Sequence, residues 1–458
     1  MAWVGDMKTK LEDAELPDKV QRWPKHCIFS VPPRFKMVDS SVYKPQTVSL
    51  GPFHHGSQDL KSMEEHKLRA VRHLLARDSY ITSLEDLVRA VEEVADELED
   101  SYMDLSGEWR GKENRGKFLE MMITDGCFLL EVMRTDATQK EDSLVKGYAH
   151  DPVFSWYGIQ HIKPFVQRDM LLIENQLPLR LLQRIVAMEE RNSPRQNTDS
   201  INSMVLKFLG QKDAQPRYEL GLHPLDIYRT SQFRGIQEHI NTASCLMIHH
   251  QHMMREETHR PQRPLARSAR ELTEAGIRLL PIETSRLNDF WFDRSDGTLQ
   301  MPKIQVHDST AYMFRNMMAF EVLRVGTTND VTAYVMFLKD LVDTAYDVHL
   351  LVRNGVLEHD LANDNAVVRL FNGLTRDVTR NWENQLAYMK VREDVESYCT
   401  THRRSNCVRL FLNESWAYLM TKYLRNPWTV LGLVTATLLL VADIVQAVYA
   451  VKSYKEGK

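Results

Sequence analysis

Three carboxylates sit where carboxylates are costly. Asp125 lies within Phe118-Leu119-Glu120-Met121-Met122-Ile123-Thr124-Asp125-Gly126-Cys127-Phe128-Leu129. In a regular helix its neighbours three and four positions away are Met121, Met122, Phe128 and Leu129, all apolar. Asp169 is set likewise among Phe165, Val166, Leu172 and Ile173, and Glu174 among Met170, Leu171 and Leu177. A carboxylate on such a face is buried, and an unpaired buried charge is too expensive to be decoration. Three inward carboxylates on two helices fit an acid–base pair or a metal ligand set. They equally fit acceptors that fix the packing by taking hydrogen bonds from Arg, Tyr, Trp or helix N-termini. Glu174-Asn175-Gln176-Leu177-Pro178 joins a helix breaker to three polar side chains, and Asn175 is placed to cap the following turn. That run reads as a structural corner before it reads as a catalytic loop.

Histidines offer a second set of candidates. His54 and His55 follow a turn and could ligate a metal or act as a base. His249, His250 and His252, near Cys245 and His259, have the composition of a metal-binding tract, but their spacing matches no standard zinc site. No phosphate-binding glycine loop, HExxH or GxSxG is present, and no cofactor is implied.

The elements that must carry these residues are mostly helices. Residues 27–33 and 43–56 read as extended chain, punctuated by Pro32, Pro33, Pro45 and Gly51-Pro52. Helices are expected from Ser62 (with Glu65 completing a capping box) to Arg77, from Ser83 through Val94, over 113–133, and over 165–188, broken or kinked near Pro178. A short helix opens at Ser268 and stops at Gly276. Residues 287–292 and 298–306 alternate around Asp296-Gly297 and read as a hairpin. Further helices are expected at 309–325, 329–353, 364–371, 375–397 and 406–424. Residues 191–202, 211–221 and 255–267 read as mobile loops, the last a proline-punctuated stretch bearing Arg255, Arg260, Arg263 and Arg267.

The fold class is therefore mainly α with small β elements (α+β), a large helical head plus one C-terminal transmembrane helix. Residues 1–26 form a flexible N-terminal arm and 27–425 a single head domain. Residues 428–451 carry one ionisable side chain, Asp443, between Pro427 and Lys452. A helix of that length rises about 36 Å, enough to cross a hydrocarbon core of about 30 Å. Trp428 and Tyr449 stand near its ends, where amphipathic rings favour the interface. Residues 452–458 are a short basic tail. Gly432 and Ala436 permit close helix contact, and Asp443 with Gln446 suits a polar contact to a partner helix. The expected location is a membrane, plasma or internal, crossed once at the C-terminal end, with a homo- or hetero-oligomer built through the span as one reading. No apolar stretch of signal-peptide length occurs near Met1. That absence favours post-translational insertion with the head in the cytosol, whereas a receptor for secreted ligands requires the opposite face. The sequon at Asn413 matters only if the head is luminal.

The 458 residues are 43% hydrophobic and 26% charged, an ordinary folded composition, and the net charge of −4 gives no general attraction to nucleic acid. Five cysteines (Cys27, Cys127, Cys245, Cys399, Cys407) without CxxC spacing make neither a zinc signature nor a disulfide framework.

Several blocks in order resemble the plant domain-of-unknown-function 247 family, also called uncharacterised protein family 0481. They are Val48-Ser49-Leu50-Gly51-Pro52-Phe53-His54-His55-Gly56, Met63-Glu64-Glu65-His66-Lys67, Asp125-Gly126-Cys127-Phe128, and Asp169 through Pro178. Later come Ser268-Ala269-Arg270-Glu271-Leu272, Arg315-Asn316 to Phe320-Glu321, Leu370-Phe371-Asn372, and Asn426-Pro427-Trp428. The family usually has threonine where this chain has Arg270. The resemblance implies one C-terminal transmembrane helix and carries over no catalytic residue. It implies recognition of a protein partner. Grass members look like pollen-side determinants of self-incompatibility, read against small proteins secreted by the stigma. Specificity would then sit in loops at 136–150, 191–202 and 211–221. The rival expectation is an enzyme using Asp125, Asp169 and Glu174.

Overall fold

The computed structural model describes residues 2–14, 23–37, 39–76, 83–137, 148, 150–190, 194–211, 219–233, 267–284, 286–376, 391–401, 435 and 438–447. These residues are mainly helical with a few short strands, the α+β content read from the sequence. Among them no helix is long and apolar enough to cross a membrane. The expected span over 428–451 lies outside them except for 435 and 438–447, which are helical.

The N-terminal arm contains a helix, α1 (Ala2–Ala14), which its charge content concealed, and a 3₁₀ turn at Trp23–Lys25. After the short α2 (Pro33–Lys36), a 3₁₀ turn over Gln58–Met63 leads into α3 (Glu64–Ala76), so the α-helix starts two residues after Ser62. α4 (Leu84–Glu92) begins as expected at Ser83, whose side chain accepts the Asp86 N–H at 3.1 Å. It ends at Glu92, two residues before the expected Val94, and a further short helix, α5 (Ala95–Asp100), follows. α6 (Arg115–Ala137) is the centre of this half: α3, α4, α7 (Trp156–Met170), α8 (Leu179–Glu190) and α9 (Pro194–Phe208) all pack on it. With neighbours on every side it buries residues on every side, which explains an apolar run too broad for one stripe.

Two expectations are corrected here for local reasons. The helix expected over 165–188, broken or kinked near Pro178, is broken, but it starts earlier, at Trp156, and the first part already ends at Met170, with α8 beginning at Leu179. Side-chain amides of Asn175 and Gln176 take the carbonyls of Asp169 (3.0 Å), Met170 (2.6 Å) and Leu172 (2.7 Å), which would otherwise need continued helix. Residues 194–202, expected as loop, open α9, where Ile201, Val205, Leu206 and Phe208 supply a buried stripe that the polar first turns hide. Residues 212–218 and 255–266 lie outside the described residues.

The second half comprises α10 (Pro224–Gln232), α11 (Ala269–Glu274), α12 (Thr310–Leu323), α13 (Asp330–Leu341), α14 (Ala345–Arg353) and α15 (Asp364–Leu374). Ser268 and Glu271 form a capping box on α11, and Thr344 and Asp347 form another on α14, which splits the helix expected over 329–353. The expected hairpin is present, β2 (Trp291–Asp293) antiparallel to β3 (Thr298–Pro302). β1 (Arg278–Ile282) adds to the other edge of β3 in parallel, and β4 (Ile304–Val306) pairs with β5 (Leu357–His359). The register aligns Leu279, Leu299 and Phe292 in one buried row across three strands. Residues 391–401 are helical, with Tyr398 edge-on to Phe292 and Glu396 paired with Arg267 at 2.7 Å.

Gly158, in the first turn of α7, donates to the Ser155 side chain at 3.0 Å, and a Cβ there would lie 2.5 Å from the Pro152 carbonyl oxygen. Helix propensity favours alanine by about 1 kcal/mol, while a clash with backbone costs about 1–3 kcal/mol. Gly158→Ala should therefore lower the urea midpoint; an unchanged or raised midpoint would show that the 152–158 turn yields.

Candidate functional site

Residues 27–32 and 44–51, on either side of α2 and a 3₁₀ turn over Ser41–Tyr43, run without regular secondary structure and with almost no strand partner; one bridge joins Ile28 to Tyr102. Their backbone N–H groups are satisfied instead by side chains 74 to 143 residues further along the chain, on α6, at the end of α7 and in the turn after it. Asp169 accepts the N–H groups of Gln46 (3.0 Å), Thr47 (2.7 Å) and Val48 (3.0 Å). Asn175 accepts from Leu50 at 2.8 Å and donates to the Val48 carbonyl at 3.0 Å. Asp125 accepts from Gly51 at 2.8 Å, and Glu174 accepts from Val31 at 2.7 Å. Gly51 has φ +78°, and a Cβ there would meet the Gln176 carbonyl oxygen and the Tyr102 hydroxyl at 2.8 Å each. Only glycine passes that point without strain.

The carboxylates thus face inward as the periodicity requires, and each has its own donors. Asp125 also forms an ion pair at 2.7 Å with Lys67, both fully buried, and Lys67 reaches Glu64 at 2.7 Å and the Ser49 hydroxyl at 3.1 Å. Burial pulls the Lys67 pKa down, but Asp125 and Glu64 outweigh it and hold the value above the usual range. For Asp125 burial prevails over Lys67 and the Gly51 N–H and raises the pKa. Asp169 is likewise raised by burial against its three backbone donors. Glu174 goes the other way: burial is outweighed by His54, Lys36 and the Val31 N–H, and the pKa is lowered. Its Oε1 takes Lys36 at 2.7 Å, and its Oε2 lies 3.6 Å from His54 Nε2. Asp125 and Asp169 are fully buried and each of their oxygens faces a donor or cation of the fold, so neither is open to a substrate from solvent. Their chemistry is that of backbone clasps.

Several participants escape a reading of the sequence. Lys67 is a buried lysine inside a charged helix, where no local signal distinguishes it. Asn316, in a stretch (315–321) whose helical spacing calls for no chemistry, accepts from Ile173 at 2.9 Å and donates to the Val42 carbonyl at 2.8 Å. Glu321, in the same stretch, accepts from Val331 (2.8 Å) and Thr332 (3.0 Å) at the start of α13. Burial pushes its pKa up to about 7 against Arg229, 3.8 Å away. His223 caps α10, accepting from Asp226, while its Nε2 contacts the Cys27 carbonyl at 2.9 Å. Burial lowers its pKa to about 4, so the ring is neutral and Nε2 is the donor.

The histidine candidates do not converge. His54 lies beside Glu174, and the His55 ring stands edge-on to Trp109. Among the described residues no group of three or more His, Cys, Asp or Glu side chains could hold a metal ion. His249, His250, His252, Asn413, Gly432 and Ala436 lie outside the described residues, and Asp443 and Gln446 stand exposed on the 438–447 helix. Cys27, Cys127 and Cys399 are buried and form no disulfide, and burial pushes the Cys27 thiol up to about 12, which makes it unreactive.

A family model described as a plant protein of unknown function, DUF247, matches residues 28–442. The UPF0481 protein At3g47200 of Arabidopsis thaliana is 26% identical over 451 residues, covering 94% of this chain and 87% of that protein. The putative UPF0481 protein At3g02645 of the same species is 22% identical over 520 residues, covering 96% and 92%. No solved structure matches.

Asp125→Asn leaves Lys67 buried without its main counter-charge and should cost about 3–5 kcal/mol in urea unfolding. Adding Lys67→Met should recover part of that loss, because the new side-chain amide can still accept from Gly51; strict additivity would refute the pairing. The pH response of His223 has a definite sign. Its folded pKa lies below the ordinary 6.5 at about 4, so the unfolded chain binds the proton first. Stability should fall by roughly 3 kcal/mol as pH drops from about 6.5 to about 4. His223→Asn should flatten that part of a stability–pH curve relative to wild type.

Proposed function

We propose that this chain, which belongs to the DUF247 family of plant proteins, is a single-pass membrane protein whose helical head recognises a protein partner. The observation that carries the reading is the helix over 438–447. Every residue in it is exposed, and Leu438, Leu439, Leu440, Val441, Ile444 and Val445 are each at least 47% exposed. At 100° per residue these six side chains encircle the helix rather than forming one stripe. A helix apolar all round is covered by a bilayer far more readily than by a groove on one protein surface. Asp443 and Gln446, three residues apart, lie on one side of it and suit a polar contact with another helix in the membrane.

Recognition is preferred over catalysis because the buried carboxylates that could do acid–base work are committed to the backbone of residues 31–51. At its most specific, the reading is a pollen-side determinant of self-incompatibility that meets a small protein secreted by the stigma. That version requires the head to face away from the cytosol.

Alkaline carbonate extraction of membranes from cells expressing the full chain should leave the protein in the pellet; release into the supernatant would refute anchoring. In the same membranes, a glycan on Asn413 and protection of the head from added protease would place the head on the lumenal side. A protease-accessible head without glycan would exclude recognition of a secreted partner.

A further inference from the structure

The helix at the other end of the chain is also uncovered. Trp3, Met7 and Leu11 of α1 are 66%, 51% and 56% exposed, and their four-residue spacing sets them along one side of the helix. None of the three belongs to the hydrophobic core. A free helix of this length is marginal in water, so an apolar stripe on it calls for cover. We infer that α1 lies in the membrane interface, a second and reversible contact with the bilayer that the 438–447 helix enters; this rests on the membrane reading above.

Three features favour lipid over protein as the cover. Three side chains on one short helix offer far less area than a stable dimer interface requires. Tryptophan is the side chain best suited to the headgroup boundary, and Trp23, in the 3₁₀ turn that follows, is exposed as well at 59%. A head already tethered at the surface meets the bilayer at high effective concentration, so a weak stripe suffices. The lipid would be zwitterionic. Lys8 and Lys10 against Asp6, Glu12 and Asp13 leave the segment one net negative charge, which gains nothing from an anionic surface.

The test is hydrogen exchange on the full chain in phosphatidylcholine nanodiscs, compared with a Trp3→Asp/Leu11→Asp variant whose changes lie outside the core. Amides within 2–14 should exchange at least tenfold more slowly in the wild type, with both proteins retained on the discs. Fluorescence quenching by brominated phosphatidylcholine should also diminish in Trp3→Phe. Equal exchange in the two retained proteins would overturn the inference. So would protection that persists in the double variant, or protection that grows with the number of protein copies per disc, which would assign the stripe to a second copy. Failure of the wild type to stay on the discs at all would overturn the anchoring itself, an outcome distinct from the others.

Discussion

The structure depends on a single constraint: two short extended stretches, within residues 27–32 and 44–51, are largely buried without a sheet to receive them. The N–H groups of Val31, Gln46, Thr47, Val48, Leu50 and Gly51 need acceptors, and each left unmade would cost about 1–3 kcal/mol. Side chains of Glu174, Asp169, Asn175 and Asp125 take the place of a neighbouring strand. Carboxylates are strong acceptors for this purpose, since one oxygen can serve two or three donors. The choice then dictates what surrounds them. Asp125 carries a charge into the core, which obliges Lys67 to follow, which in turn engages Glu64 and Ser49. Gln176 completes the joint, accepting from Leu225 at 3.0 Å while its carbonyl takes the Tyr102 hydroxyl at 2.9 Å.

How much of this was legible depended on distance along the chain. The inward direction of Asp125 followed from helical spacing, and the caps at Ser83 and Ser268 and the β2–β3 hairpin from their own local signals, because each is decided within a few residues; Glu174 is buried as well, but in the turn after α7 and not on a helix face. What the carboxylates hold was not legible. Their donors lie 74 to 143 residues away, at Gly51 and Val31, and no window of sequence contains both partners. The same limit hid the parallel pairing of β1 with β3 and the burial of Lys67 and Asn316. The end of α7 was misplaced for a subtler reason. Pro178 marks a break, but the stop is set earlier, by amides of Asn175 and Gln176 that turn back onto carbonyls of residues 169–172. The stripe of α9 was masked by the polar residues that precede it.

The chain therefore divides its polar and apolar resources unusually. In the middle, buried charge is spent on architecture, and the perturbed groups Asp125, Glu321 and His223 each sit where one segment is fastened to another. At the two ends, apolar side chains stand uncovered on helices that the core does not include. A perturbed pKa is often a pointer to a reactive centre; here the same signature marks fasteners. The blocks that carry the resemblance in the sequence, from Val48 to Gly56 and from Asp169 to Pro178, hold the two sides of this fastening, which gives their residue types a physical reason.

The bond from Asn316 to the Val42 carbonyl joins residues 274 positions apart. At about 5–20 residues per second of synthesis, Val42 emerges from the ribosome on the order of 15–55 s before its partner exists. The N–H groups of the extended stretches on either side of it find acceptors sooner, since Asp125, Asp169, Glu174 and Asn175 follow them by at most 143 residues; until then they are a template for wrong strand pairing. Their brevity, their prolines and the turn at Gly51-Pro52 limit what they can pair with while they wait. The Val42 carbonyl is claimed later still, when α12 has been made, so this early segment is fastened in two stages.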